Sequence, residues 1–196
     1  MELTMRPALF LDKDGTLVKD VPYNSDPDLI EFSENALEGL KELHSAGFAL
    51  FVVSNQPGVA LGYFKERELS TIRNALREMM RREGLSLEEC YFCPHREDAT
   101  LPHYRVPCEC RKPSPGMLLA AAREHPIALE KSWMIGDILD DVEAGNRAGC
   151  RTILLDNGNE TEWRLDARER HPTFIARSIN DACRIILSSH TSGEER

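Results

Sequence analysis

No stretch of this chain strings together the ~18 apolar residues that a membrane-spanning helix needs. A signal-peptide cleavage pattern is also missing, and the short apolar run in MELTMRPALFLDKDGT is better used as a buried strand. The expectation is a soluble, cytoplasmic protein that does not engage a membrane. No Lys/Arg block stands out either, and 24 basic against 33 acidic residues leave a formal charge of −9. Phosphate-backbone binding needs clustered positive surface, so nucleic acid is excluded as a partner. Internal repeats and low-complexity tracts are absent, which excludes solenoids and biased linkers.

What is present is an ordinary globular composition, 41% hydrophobic and 29% charged in 196 residues. That length buries a proper core without staples. The expectation is one domain over residues 1–188, acting as a monomer, with a frayed polar tail over 189–196. The negative charge sets a local requirement. An anionic substrate would need a cation and a few well-placed basic groups.

Short apolar, β-branched or aromatic runs alternate with helical patterns, the rhythm of an α/β fold with a mainly parallel sheet and helices on both faces. Strands are expected near Ala8–Asp12, Phe48–Ser54, Cys90–Cys93, Ser132–Ile135, Arg151–Leu155 and Thr173–Ala176. Helices are expected near Ser33–Ala46, Lys65–Glu83, Ser114–Glu124, Asp140–Ala148 and Ile179–Ser188. Gly47, Gly84 and Gly149 each close a helical pattern, as a C-terminal cap position prefers. The segment from Asp156 to Pro172 is polar and reads as a loop.

Ligands of an open α/β sheet sit outside the carboxyl ends of its strands. The first strand runs into Asp12-Lys13-Asp14-Gly15-Thr16, where alternation lets Asp12 and Asp14 point the same way, with Gly15 allowing a sharp turn. Two such carboxylates repel each other unless a hard, oxygen-seeking cation such as Mg²⁺ lies beside them. Asp12 can then remain an ionised nucleophile, while Asp14 protonates a leaving alcohol and later activates water. The second strand ends in Ser54-Asn55-Gln56-Pro57-Gly58, whose hydroxyl, polar side chains and amides suit a phosphate oxygen. Lys112 places a point charge where negative charge spreads in phosphoryl transfer, and Arg111 can grip a second oxyanion or hydroxyl. After the fourth strand, Asp137 is the candidate metal ligand, with Asp141 orienting it from behind, while Asp140 is equally well explained as a helix-start residue. Taken singly, each of these is compatible with ordinary turns and caps. Four in order, at four candidate strand ends, point to one site.

Six cysteines raise the question of disulfides, but Cys93-Pro94-His95 and Cys108-Glu109-Cys110 form two ligand pairs flanking a twelve-residue loop. Three thiolates and one imidazole make a closed tetrahedral Zn²⁺ site with no open position, hence structural. The polar loop Arg96–Pro107 would be mobile without such a clamp. Cys90 offers a rival pairing with Cys93 and is better read as a small apolar strand residue; His103 is a weaker substitute ligand.

These motifs, DKDGT, SNQPG, CPH with CECRKPSPGM, and GDILDD, resemble those of the haloacid-dehalogenase (HAD) superfamily. The resemblance runs from about Ala8 to Leu155 and is to the subgroup containing D-glycero-D-manno-heptose 1,7-bisphosphate phosphatases and histidinol phosphatases. It implies a three-layer Rossmann-like fold with a zinc-bound loop, and a phosphatase working through an aspartyl-phosphate. It also implies Asp12 as nucleophile, Asp14 as acid and base, Ser54 and Lys112 as phosphate stabilisers, and Mg²⁺ held by Asp12, the Asp14 carbonyl and Asp137. Zn²⁺ would sit on Cys93, His95, Cys108 and Cys110, with Arg111, Asn55 and Gln56 at the substrate. The loop Asp20-Val21-Pro22-Tyr23 would meet the sugar. Pro57 departs from the Ser common in this subgroup and lacks an N–H donor, and Lys13 replaces the usual Arg at a position expected to face away.

The stretch between Thr16 and Ser33 is too short for the helical cap domain of the superfamily's sugar-phosphate mutases, so a phosphatase is expected. Selectivity then falls to Lys19–Pro27, Pro57–Phe64 and the zinc loop. The leading substrate is a heptose 1,7-bisphosphate losing its 7-phosphate in lipopolysaccharide heptose biosynthesis. Histidinol phosphate or another sugar phosphate is the alternative. A catalytically dead zinc-loop module that binds a protein is the reading of a different class, and the retained carboxylates argue against it.

Overall fold

The computed structural model describes residues 5–191. Strands β1 (Ala8–Leu11), β2 (Ala49–Asn55), β3 (Leu87–Cys93), β4 (Trp133–Gly136), β5 (Arg151–Leu155) and β6 (Phe174–Ala176) form one sheet in the order β3-β2-β1-β4-β5-β6. All its pairings are parallel.

Side-chain alternation along these strands builds two cores. Leu9 and Leu11 of β1, with Leu50 and Val52 of β2, face α1 (Ala36–Ser45), α3 (Glu68–Arg82) and α6 (Ile179–Thr191). Ala8, Phe10, Phe51 and Val53 face the opposite way, onto α4 (Gly116–Glu124) and α5 (Leu139–Ala148). The registered neighbours Phe10 and Phe51 stack with ring centroids 5.3 Å apart. Along α3, Leu69, Ile72, Leu76 and Met80 recur at helical spacing, and all four are buried. Three layers result, with β1 and β2 buried at the centre.

Gly47, Gly84 and Gly149 follow their helices at φ of 90°, 76° and 89°, the left-handed conformation expected of them. Most boundaries shift by one to three residues, and three differences bear on the fold. β3 begins at Leu87, three residues early, because Glu88 and Glu89 pair with Arg6, Arg73 and Arg77 instead of breaking this edge strand. Pro57–Leu61, expected as loop, is a short helix α2 with proline in its first turn. α6 continues through Thr191, so the expected tail begins in helix, and its residues 192–196 lie outside the described residues.

Between β1 and α1 the chain folds back as a flap, with Val18 bridging to Phe32 and Lys19 N–H donating to Glu31 O at 2.9 Å. No helical cap domain is inserted there. Among the described residues no helix is long and apolar enough to cross a membrane.

Candidate active site

The strand order reverses direction at β1, between β2 and β4, and a crevice opens there at the carboxyl ends. Asp12 leaves β1 into that crevice and Asp137 leaves β4, while Asp141 reaches it from the first turn of α5. Their carboxylates lie within 4.8 Å of one another, and all three residues are buried. Lys112 enters from the segment before α4, and its ammonium lies 2.5 Å from Asp12 Oδ1, 2.6 Å from Asp141 Oδ1 and 2.9 Å from Val53 O.

These charges shift one another. Burial, then the Asp12 charge, pushes Asp137 up to about 6, opposed by hydrogen bonds and by Lys112. Burial likewise raises Asp141, against the pull of Lys112. Burial alone would lower Lys112, but Asp12 and Asp141 outweigh it and hold the ammonium charged. Three buried carboxylates against one ammonium leave net negative charge, which a hard divalent cation would neutralise. The oxygen donor set fits magnesium.

The backbone permits this crowding through glycine. Gly15 adopts φ +76°, and a Cβ there would lie 2.2 Å from Asp137 Oδ2. A Cβ on Gly136 would meet the Asp141 side chain at 2.2 Å.

Asp14 stands apart. Its carboxylate accepts from Lys13 Nζ at 2.5 Å and Gln56 Nε2 at 3.0 Å, and burial raises its pKa against the opposing Lys13 charge. Gln56 also donates to Ser54 Oγ at 2.9 Å, tying these two residues together. The Asn55 side chain is taken up by the backbone of Lys112, donating to its O and accepting from its N–H, both at 3.0 Å. Asn55 therefore also positions Lys112.

Two clefts flank this centre. One of about 270 Å³ is lined by Asp14, Asp20, Pro22, Tyr23, Asn55 and Gln56. Tyr23 packs edge-on against Tyr63 with ring centroids 4.7 Å apart, and Val21 O closes the loop by accepting from Asn24 N–H at 3.1 Å. The other, about 540 Å³, is bounded by His95, Arg96, Arg111, Lys112, Ser114 and Asp140. Arg111 Nη1 donates to His95 O at 3.1 Å, which ties it to the thiolate loop.

That loop leaves β3 at Cys93 and returns at Cys110. Cys93, His95, Cys108 and Cys110 form the second cluster, with Cys93 Sγ 3.7 Å from Cys108 Sγ, 3.0 Å from Cys110 Sγ and 3.8 Å from His95 Nδ1. Zinc bonds of ~2.1–2.3 Å imply tetrahedral edges of about 3.5–3.8 Å, close to most of these separations. The two thiols of Cys93 and Cys110 share a hydrogen bond at 3.0 Å, and their coupling lowers the Cys110 thiol to about 5 and raises that of Cys93. Cys90 is buried in the core on β3, and His103 lies against Tyr104, outside the cluster. The loop between the pairs is also held at its middle, where Leu101 N–H donates to Ala60 O at 3.0 Å and Tyr104 Oη to Glu66 at 2.8 Å. It rests on the body of the protein as well as on its ends.

A HAD-hydrolase-like family model matches residues 109–182. The chain is 35% identical to the D-glycero-beta-D-manno-heptose-1,7-bisphosphate 7-phosphatase of Escherichia coli K12 over 185 residues, covering 90% of this chain and 97% of that one. It is 41% identical to the enzyme of the same name from Photorhabdus laumondii over 149 residues, covering 76% and 79%. The chain belongs to this HAD-like heptose-bisphosphate phosphatase family. Among solved structures, a putative HAD-like phosphatase from Mesorhizobium loti is similar at 31% identity with a TM-score of 0.80, covering 94% of this chain and 88% of that one. A D,D-heptose 1,7-bisphosphate phosphatase from B. bronchiseptica, solved with magnesium and phosphate, is similar at 26% identity and TM-score 0.78, covering 93% and 99%.

In this family member the carboxylate cluster is consistent with a magnesium site and the thiolate cluster with a zinc site. Asp12, Asp137 and Lys112 come together as the sequence predicted, and Asp141, expected behind Asp137, joins the cluster itself. Lys13 was expected to face away and instead lies buried against Asp14. Residues not singled out also hold the heptose-phosphatase site together. Thr16 Oγ1 donates to Asp137 Oδ1 at 3.2 Å and Asn159 Nδ2 to Asp137 Oδ2 at 2.6 Å. Asn157 Nδ2 donates to Gly15 O at 2.8 Å. The available signal in the sequence is the Asn-Gly-Asn turn after β5, which lies within the polar segment Asp156–Pro172.

Proposed function

We propose that the chain is a magnesium-dependent phosphatase that removes the 7-phosphate of a D-glycero-D-manno-heptose 1,7-bisphosphate. The observation that carries this is the convergence of buried Asp12, Asp137 and Asp141 around Lys112, with Asp14 beside them and a cleft on either side. The family relatives named for that reaction supply the substrate.

Magnesium would be held by Asp12, Asp137 and the main-chain carbonyl of Asp14, and when bound it supplies charge neutralisation among the carboxylates and phosphoryl oxygens. Asp12 attacks phosphorus with a carboxylate oxygen, and the bond from phosphorus to the sugar oxygen breaks. Asp14 gives that oxygen a proton, releasing the sugar alcohol and leaving an acyl phosphate on Asp12. Asp14 then takes a proton from water, which attacks phosphorus, and Asp12 returns to its carboxylate as inorganic phosphate departs. Lys112 and Ser54 stabilise charge on the phosphoryl oxygens. Arg111, with the loop Asp20–Tyr23, faces the sugar and its uncleaved phosphate. Zinc on Cys93, His95, Cys108 and Cys110 would order the segment that leads directly into Arg111 and Lys112.

A phosphate-release screen tests the proposal, using both anomers of the heptose bisphosphate, histidinol phosphate and common hexose phosphates, with and without magnesium. The heptose bisphosphate is expected to give the highest kcat/KM, with no release once magnesium is removed. Preference for histidinol phosphate, or turnover that survives thorough chelation, would overturn it.

A further inference from the structure

Lys13 is 1% exposed, and its ammonium makes its single ion pair among the described residues with Asp14 Oδ1, at 2.5 Å. An ammonium taken out of water is costly unless it is paired, so this burial needs a reason. Lys112 supplies the contrast. Its ammonium serves Asp12, Asp141 and a main-chain carbonyl, on the side where the three clustered carboxylates meet. Lys13 serves only Asp14, whose carboxylate lies outside that cluster. A structural ion pair is a poor explanation, since an apolar side chain of similar volume commonly supports a fold as well as a buried pair does.

The two oxygens of Asp14 are held unequally. Oδ1 faces the Lys13 ammonium, which has no other ion pair among the described residues. Oδ2 faces the amide of Gln56, which also donates to Ser54 Oγ at 2.9 Å and so remains partnered if Oδ2 lets go. We propose that Lys13 is a positioning residue that clamps Oδ1 of Asp14, leaving Oδ2 as the oxygen that carries and returns the proton. In the first step the Oδ2 proton passes to the ester oxygen as its bond to phosphorus breaks. In the second, Oδ2 takes a proton from the attacking water. Lys13 takes no part in either transfer. This assignment rests on the phosphatase reading and adds to it the group that orients its acid and base.

The test is a double-mutant cycle on the full-length protein, Lys13→Met, Asp14→Asn and both together, with Lys13→Arg as the conservative variant. General acid and base catalysis contributes ~10²–10⁴-fold in total, so Lys13→Met is expected to lower kcat about 10- to 100-fold. KM should stay within about twofold of wild type, as for a group that acts only in the transition state. In the Asp14→Asn background the same change should cost nothing further, and Lys13→Arg should recover most of the rate. The thermal midpoint of the double variant, in which neither member of the pair is left alone, should not fall. The crystal structure of Lys13→Met should show the Asp14 carboxylate turned from its place beside residue 13. Additive losses, an unchanged kcat, a lowered midpoint of the double variant without rate rescue by Lys13→Arg, or an unmoved Asp14 each overturn the assignment. A wild type that releases phosphate from no ester defeats the phosphatase reading instead, and the Asp14 position in the variant crystal still decides the clamp. If Lys13→Met does not fold, Lys13→Gln takes its place in the cycle.

Discussion

Two clusters of metal-ligand residues lie at the same edge of the sheet, and they are made differently. The carboxylate cluster is anchored on strand ends and a helix start, is fully buried, and has an ammonium threaded through it. The thiolate cluster is anchored at the end of one edge strand and on loop, with three of its four residues only partly buried. Hard oxygen donors with competing charge keep a site reactive, whereas three thiolates and an imidazole close a coordination sphere and leave no open position. The difference teaches a division of labour. On the proposed function, one cluster would perform chemistry on a rigid frame, and the other would supply the frame where regular structure runs out, between Cys93 and Lys112.

That division can be broken most severely at Asp12. Asp12→Asn should reduce turnover by about 10⁴-fold or more, as removing a nucleophile does, while circular dichroism and the thermal midpoint remain near wild type. Near-normal phosphate release would remove the carboxylate cluster from the chemistry. The next effect lies in the other cluster. Cys110→Ser should release zinc in a metal assay and lower kcat/KM by about 10- to 100-fold through misplacement of Arg111 and Lys112, with clear loss of thermal stability. If activity survives with zinc gone, the two clusters are independent.

The smallest effect sharpens the contrast through pH. Asp137 is raised to about 6 from 3.8, so the metal-free folded chain holds more protons than the unfolded chain between those values. Its stability contribution is therefore present at low pH and lost as pH rises toward 6. Magnesium needs the ionised group, so its affinity, measured by calorimetry, should climb by up to about tenfold per pH unit across that window and level above it. A flat profile would place Asp137 outside the magnesium set.

Much of this was legible from the chain. Asp12, Asp137 and Lys112 announce themselves because each stands at or beside the end of an apolar run, where a parallel sheet delivers its ligands. The paired Cys and His spacing is equally local. Lys13 and Asn159 were not legible, for a common reason. Alternation along a strand assigns a side chain's face but not where a long flexible stem ends, and Lys13 turns back onto its own neighbour. Asn159 reaches Asp137 from a loop that nothing in its own composition directs there. Pro57-Gly58 was read as a turn because both residues favour turns, although proline also suits the first turn of a helix.

The pairing of Asn55 with the main chain of Lys112 has a further consequence. With its backbone latched to the end of β2 and its ammonium seated on Val53 O, that lysine is gripped at root and tip by the same strand. Its reach toward Asp12 is thus gauged by the central sheet, whose β1 and β2 side chains are buried in the two cores. Fluctuations of the outer loops can then alter which sugar is admitted while leaving the distance between cation and nucleophile unchanged.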